Sequence, residues 1–110
     1  MSTRATYGFE EDGVKAVYYI HHDGYPAGAA EYFKAAQNVY SGSAMFMDDF
    51  SLANSAASHT VSHESHGDTE YRYDAVGNML RATKRINYGS VWTEFFHGTI
   101  SGFIAQYIRA

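Results

Sequence analysis

Histidine and aspartate residues in two segments have the types and spacing that could support chemistry. In the first segment, YYIHHDGYP, His21 and His22 directly precede Asp23. A neighbouring carboxylate can orient an imidazole for general-base catalysis. Successive residues of a strand point to opposite faces, however, so only one of the two imidazoles could serve a given site. Because Asp23 and Gly24 suit a turn and the Tyr-Pro that follows suits a helix start, the segment favours a structural turn.

The second segment, HTVSHESHGD, contains three more histidines at spacings of four and three residues. On a helix, His59, His63 and His66 would share a face and could bind zinc, with Glu64 and Asp68 as oxygen ligands. The intervening serine, threonine and valine residues disfavour a helix, and the H-E-x-x-H motif is absent. We therefore expect an exposed loop with no resident metal and no cofactor. A metal-binding or hydrolytic enzyme that uses both histidine segments is the alternative.

Other enzyme and nucleic-acid signatures are missing. The chain has no cysteine, no G-x-S-x-G nucleophile motif and no glycine-rich phosphate loop. A basic patch at Arg81, Lys84 and Arg85 is small, and the whole chain has a net charge of −4, which argues against direct nucleic-acid binding. The sequence therefore predicts a protein that is not an enzyme and has no catalytic residue.

An N-terminal hairpin and one or two helices are predicted for the first half of the chain. Apolar residues alternate over residues 3–21 on either side of an Asp-Gly turn at Asp12. A period of 3.6 residues from Ala27 to about Tyr40 predicts a helix that ends at Gly42. Residues 44–53 are ambiguous, although Phe46, Phe50 and Ala53 fit a short second helix in which Asp48 and Asp49 would face water.

The second half begins with a predicted loop and continues with three strands and a helix. Residues 54–67 show no periodicity. The segments DTEYRYDA, MLRATKRINY and VWTEFFHG alternate, with turns at residues 76–78 and 89–90. Thr99 is a suitable N-cap for an amphipathic helix over residues 100–109.

These elements define the expected fold. Their order is ββα(α)βββα, in which a hairpin and a meander give a five-stranded antiparallel sheet. Helices pack on one face of this sheet, so the fold class is α+β. The chain length and the lack of a linker predict one domain over residues 1–110.

Charge is unevenly distributed along the chain. Residues 1–71 carry ten acidic and three basic side chains, a net −7, whereas residues 72–110 carry two acidic and five basic side chains, a net +3. Such asymmetry suits either an acidic surface that meets a basic partner or a solvated surface with no partner. The chain has no apolar segment long enough for a membrane span or a signal peptide. We expect a cytoplasmic protein with no membrane partner.

Four segments resemble a group of small phage and mobile-element proteins. The matching segments are STRATY, YYIHHDGYPAGAAEYF, SHESHGDTEYRYD and WTEFFHGTISGFI, which are distributed from Ser2 to Ile104. Such phage-borne proteins include inhibitors of host defence, among them anti-CRISPR proteins. The resemblance supplies no catalytic residue.

The resulting hypothesis is a non-enzymatic, phage-encoded inhibitor that binds a bacterial CRISPR–Cas effector complex in the host cytoplasm. Effector complexes hold nucleic acid in positively charged channels, which an acidic, tyrosine-rich surface could occupy. A structural or regulatory phage accessory protein that dimerises through an exposed strand edge is a further alternative. The predicted contact residues are Glu10, Glu11, Asp12, Tyr19, Tyr25, Asp48 and Asp49.

Overall fold

The computed structural model describes residues 3–39 and 45–108. Within these ranges the chain forms six strands and three α-helices. No helix among these residues is long and apolar enough to cross a membrane. The element bounds are β1 Ala5–Glu11, β2 Val14–Ile20, α1 Pro26–Gln37, α2 Phe46–Ala53, β3 Ser58–Thr60, β4 Tyr71–Val76, β5 Met79–Lys84, β6 Thr93–Thr99 and α3 Ile100–Tyr107.

The six strands form one mixed sheet in the order β3-β2-β1-β4-β5-β6. The central pair, β1 and β4, is parallel, with Tyr7 opposite Tyr73, and the other pairs are antiparallel. The predicted α+β class is confirmed, but the five-stranded, wholly antiparallel sheet is wrong. A long connection through α1 and α2 separates the hairpin from the meander, and such a connection permits parallel pairing.

The sixth strand, β3, lies within the segment that was predicted to be a loop. Its three residues are polar and pair with β2, so that Ser58 is opposite Tyr19 and Thr60 is opposite Val17. This strand is held by backbone hydrogen bonds to an existing edge. Side-chain alternation therefore does not reveal it.

The helices begin close to their predicted positions. Pro26 is the first residue of α1, and α2 forms as the optional second helix. The predicted end of the first helix at Tyr40 and Gly42 lies outside the described residues. The last helix ends at Tyr107, and the predicted final residue, Arg109, also lies outside the described residues.

All three helices pack on one face of the sheet, the helix face, around a cluster of aromatic rings. Tyr7 and Tyr73 stack with centroids 5.0 Å apart and planes 11° apart. Phe33 of α1 contacts Phe50 of α2 at 5.5 Å and Phe103 of α3 at 5.9 Å. Ring pairs at these distances contribute beyond the area that they bury, so this cluster joins every helix to the central strands.

Two stacked tyrosines of this cluster are expected to respond in opposite ways to loss of the hydroxyl. Tyr73 donates to the Gly24 carbonyl at 2.6 Å, whereas the buried Tyr7 hydroxyl has no hydrogen-bond partner. Tyr73→Phe should lower the free energy of unfolding by about 1–2 kcal/mol, and Tyr7→Phe should leave it unchanged or raise it by about 1 kcal/mol. Urea denaturation of both variants provides the test. Equal losses in the two variants would contradict this account.

Candidate functional site

The sheet face opposite the helices, the open face, is partly covered by residues 61–70, the covering loop. His63 of this loop lies over β1 and β4, with Nδ1 2.6 Å from Thr6 Oγ1 and Nε2 2.6 Å from Asp74 Oδ1. A ring that donates from Nε2 to the carboxylate can accept from the threonine hydroxyl at Nδ1. One imidazole therefore joins the loop to both central strands.

Gly8 provides the space that His63 occupies. Gly8 lies opposite Asp74 in the parallel pair. A Cβ at this position would lie 2.7 Å from Asp74 Oδ1 and 2.9 Å from His63 Nε2. The imidazole therefore rests directly on the backbone of β1, and a larger residue would displace it.

The Thr6–His63–Asp74 arrangement has the order of a nucleophile, base and orienting acid. Asp74 is half exposed at 49% of its side chain, and His63 is exposed at 15%. Thr6, however, has 0% exposure, so its hydroxyl has no path to a substrate in this conformation. The two hydrogen bonds of His63 instead fix the covering loop to the sheet.

Arginine side chains hold the remainder of the covering loop. Arg85 donates from Nε to the Thr69 carbonyl at 2.8 Å and from Nη2 to the Gly67 carbonyl at 2.6 Å. Trp92 lies beneath two guanidinium groups, Arg72 at 4.0 Å and Arg85 at 4.9 Å from its centroid. These contacts combine hydrogen bonding with cation–π attraction.

The basic patch expected from the sequence is mostly engaged within the molecule. Arg85 binds carbonyl oxygens of the covering loop, and Arg81 Nε lies 2.6 Å from Glu94 Oε1. Lys84 Nζ lies 5.7 Å from the Phe95 ring centroid. Two of the three cations therefore have hydrogen-bonding partners inside the protein, and Lys84 has an aromatic one.

A polar cluster joins the N-terminal strand to the end of the covering loop. Arg4 lies 3.1 Å from Asp68 through Nη1 and 3.0 Å from His21 Nε2 through Nη2. Tyr19 donates to Asp68 at 3.1 Å, and its ring stacks on His66 at 3.9 Å. Burial, followed by the hydrogen bond to Asp68, raises the pKa of Tyr19.

Three segments that are far apart in the chain meet in this cluster. Arg4 belongs to STRATY, His21 to the HHDGYP segment, and Asp68 to SHESHGDTEYRYD. Sequence reasoning did not single out Arg4, because a lone arginine near an N-terminus carries no pattern.

The HHDGYP segment forms the expected turn, with one correction. His21 and His22 follow the end of β2, and their ring centroids lie 5.0 Å apart, so the expectation that they point to opposite faces is wrong. Asp23, with φ 57°, adopts the left-handed conformation in this turn, although glycine is the residue that usually does so. Gly24 is needed for close approach, since a Cβ there would lie 2.7 Å from Ala5 Cβ.

The three mid-chain histidines have separate partners. His59 packs against Tyr18 with centroids 5.5 Å apart, whereas His63 contacts Thr6 and Asp74. His66 Nε2 lies 2.9 Å from Thr60 Oγ1. The helix that would align them does not form, because His59 is in β3 and His63 begins a single 3-10 turn. Residues 3–39 and 45–108 contain no group of three metal-ligating side chains.

The predicted acidic contact residues come together at one end of the sheet, the acidic end, defined by Glu10, Glu11, Asp12, Asp48 and Asp49. Glu11 accepts from the backbone N–H groups of Phe46 and Met47 at 2.7 and 2.8 Å. This carboxylate therefore caps α2, whose first turn contains both aspartates. A cleft of about 470 Å³ lies beside it, with Glu11, Asp49 and Ile100 in its walls.

The remaining members of the acidic end belong to the β1–β2 hairpin. Asp12 occupies the turn with φ 51°. Glu10 is opposite Lys15 across the hairpin, with charged groups 3.9 Å apart. Lys15 thus pairs with Glu10, and the two side chains line the open face together with Gly8 and His63.

The two predicted aromatic contacts lie elsewhere. Tyr19 is opposite Thr6 on β1 and belongs to the polar cluster with Asp68. Tyr25 precedes α1 and donates to Asp23 at 3.3 Å. The structure therefore separates the tyrosines from the carboxylates with which they were grouped.

Comparison of the chain with family models, with curated proteins and with solved structures gave no match.

Proposed function

We propose that this protein is a non-enzymatic, phage-encoded inhibitor that binds a bacterial CRISPR–Cas effector complex through its acidic end. The observation that supports this proposal is that acidic residues of two distant segments lie at the same end of the sheet. Glu10, Glu11 and Asp12 come from the hairpin, and Asp48 and Asp49 come from α2. The hydrogen bonds from Glu11 to the start of α2 hold these segments together.

The acidic end suits a basic protein surface for electrostatic reasons. Carboxylates gathered at one end of a small domain produce a negative potential that attracts a positively charged channel and speeds association. The adjoining cleft adds apolar contact area, since Phe46 and Ile100 also line it. A positively charged nucleic-acid channel of an effector complex offers the matching surface.

Direct binding, rather than chemistry, is consistent with the open face. The one arrangement there that resembles a catalytic relay ends in the fully buried Thr6. The proposed inhibitor therefore acts by occupying a surface that guide-bound nucleic acid or another subunit would use. The bacterial cytoplasm is the proposed site of action.

A neutralised acidic end is expected to weaken effector binding. The variant E10Q/D12N/D48N removes three charges and retains Glu11, because Glu11 caps α2. Asparagine tolerates the left-handed conformation at position 12. Binding to purified effector complexes should weaken about tenfold or more at low salt. Biolayer interferometry and a plasmid-interference assay measure the effect.

The matched control carries the same change in net charge at other positions. E31Q/E64Q/E94Q lies outside the acidic end and should bind like the unmodified protein. Equal weakening in both variants would show that total charge, rather than this surface, matters. If the unmodified protein neither binds any effector complex nor reduces interference, the proposed function is wrong.

A further inference from the structure

We propose that the outer edge of β6, together with the loop before it, is a docking site for an extended, acidic segment of a partner protein. The segment adds to the sheet as an antiparallel strand next to β6. The β4–β5 turn, which precedes β5, lines the cleft at the acidic end. The loop before β6 follows the other end of β5. The docking site is therefore a second interaction surface, for a partner of opposite charge.

The backbone of β6 can accept a further strand. This strand is last in the sheet order and has seven residues, whereas β3 at the other edge has three. The Ile100 N–H donates inward to the Asn78 carbonyl. By antiparallel alternation after the register shift at Phe95, the N–H and C=O groups of His97 and the N–H of Thr99 point outward. The Thr99 C=O is excluded, because Thr99 is the N-cap of α3. A long edge strand without proline is the feature that strand addition uses.

A pocket lies where this edge begins. Its volume is about 330 Å³, and its walls include Lys84, Ile86, Val91 and Thr93. Ile86 and Val91 are 77% and 74% exposed. Thr93 is also the first residue of β6, so a strand that pairs with the edge can place an apolar side chain in the pocket. Main-chain pairing with one side-chain pocket is a common mode of peptide recognition.

The backbone of this loop is held in place before any partner binds. Asn87 and Tyr88 both have positive φ, at 53° and 57°, and the Gly89 N–H donates to the Ile86 carbonyl at 3.0 Å. A bulky residue rarely adopts this conformation. Tyr88 is held there by its hydrogen bond to Glu70 at 3.1 Å. A fixed loop lowers the entropy that binding would otherwise cost.

The charge of the pocket selects an acidic occupant. Its walls contain Lys84 and Arg85 and no carboxylate. Arg85 is bound to carbonyl oxygens, which leaves its charge uncompensated. Within the part of the chain described, Lys84 has no salt bridge. An acidic residue beside the apolar side chain of the docked strand would pair with Lys84.

Nuclear magnetic resonance of the ¹⁵N-labelled protein tests this proposal with a defined probe. The probe is an acetylated and amidated hexapeptide of alternating threonine and valine between two aspartates, and the matched control has two lysines instead. The aspartate peptide should shift the amide signals of His97, Thr99 and residues 89–93. It should bind roughly fivefold more tightly than the lysine peptide. The acidic end should show no shifts.

Two variants test the roles of charge and backbone separately. Lys84→Glu should reverse the preference between the peptides, and His97→Pro should abolish binding of both by removing an outward N–H. Thermal denaturation shows whether the His97→Pro variant remains folded. The Lys84→Glu variant tests the proposal even if His97→Pro does not fold. No shift on β6 with the aspartate peptide would overturn the proposal. Shifts of β6 signals with protein concentration alone would also overturn it, since a second copy would then occupy the edge.

Discussion

Raising the pH above about 10 is expected to destabilise the folded protein steeply. Tyr7 and Tyr73 have 0% exposure, and burial, the largest cause, raises the pKa of both well above the ordinary value. In the unfolded chain both hydroxyls lose their protons near pH 10, whereas in the folded protein they keep them. The unfolded state therefore binds fewer protons above this pH, and stability decreases as pH rises.

The expected decrease is large for a small domain. A tyrosine that is protonated in the folded protein and ionised in the unfolded chain lowers the free energy of unfolding by about 1.4 kcal/mol for each pH unit. Tyr7 and Tyr73 together therefore lower it by about 2.7 kcal/mol per pH unit. A domain of this size has roughly 5–15 kcal/mol of stability. Urea denaturation at a series of pH values from neutral to strongly alkaline measures the slope. Below the ordinary tyrosine pKa, these two residues should contribute no pH dependence.

Tyr7→Phe is the matched control for the alkaline transition. It removes one of the two fully buried titrating groups while it keeps the stacked ring, so the slope above pH 10 should become shallower by about 1.4 kcal/mol per pH unit. Near-ultraviolet absorbance of tyrosinate gives an independent measurement, because the two buried tyrosines should titrate only with unfolding. Complete tyrosine ionisation in a protein that remains folded would refute the assignment.

Replacement of Gly8 by alanine is expected to release the covering loop. The added Cβ would overlap both the Asp74 carboxylate and the His63 imidazole, which breaks the hydrogen bonds from His63 to Thr6 and Asp74. The free energy of unfolding should decrease by about 2–3 kcal/mol, from lost hydrogen bonds and overpacking. Chemical denaturation and amide hydrogen exchange in residues 61–70 measure the two consequences.

Gly67→Ala is the control for this substitution. Gly67 is in the same loop, and a Cβ there would meet nothing within 4 Å. The free energy of unfolding of the Gly67→Ala variant should therefore be unchanged or slightly higher. His63→Ala should reproduce the faster exchange of Gly8→Ala without any added bulk. If Gly8→Ala leaves the covering loop protected, His63 does not hold it.

Local sequence signals predicted most individual elements. The Asp-Gly turn at Asp12 and the alternation around it predicted the β1–β2 hairpin. Thr99 was predicted to cap the last helix, and its Oγ1 accepts from the Gly102 N–H at 2.9 Å. These signals succeed because a turn, a cap or a period depends on residues that are neighbours in the chain.

The site was less predictable. The acidic residues were chosen for charge, and the two groups of carboxylates do lie at one end of the sheet. The capping role of Glu11 depends on N–H groups that lie 35 and 36 residues further along the chain. Tyr19 was grouped with these acids, but strand pairing places it beside Asp68. The number of charges in a segment does not predict which groups these side chains contact.

The sequence by itself determined the strands and helices with clear periodicity, the two turns that close the hairpin and the β4–β5 pair, and the uneven charge. Only the tertiary structure decided that β1 pairs with β4 in parallel, that β3 joins the sheet, and that His63 holds a loop across the open face. The physical reason is that these contacts join residues that are far apart in the sequence. His63 and Thr6 are 57 residues apart in the chain, and their contact exists only because the whole sheet brings them together.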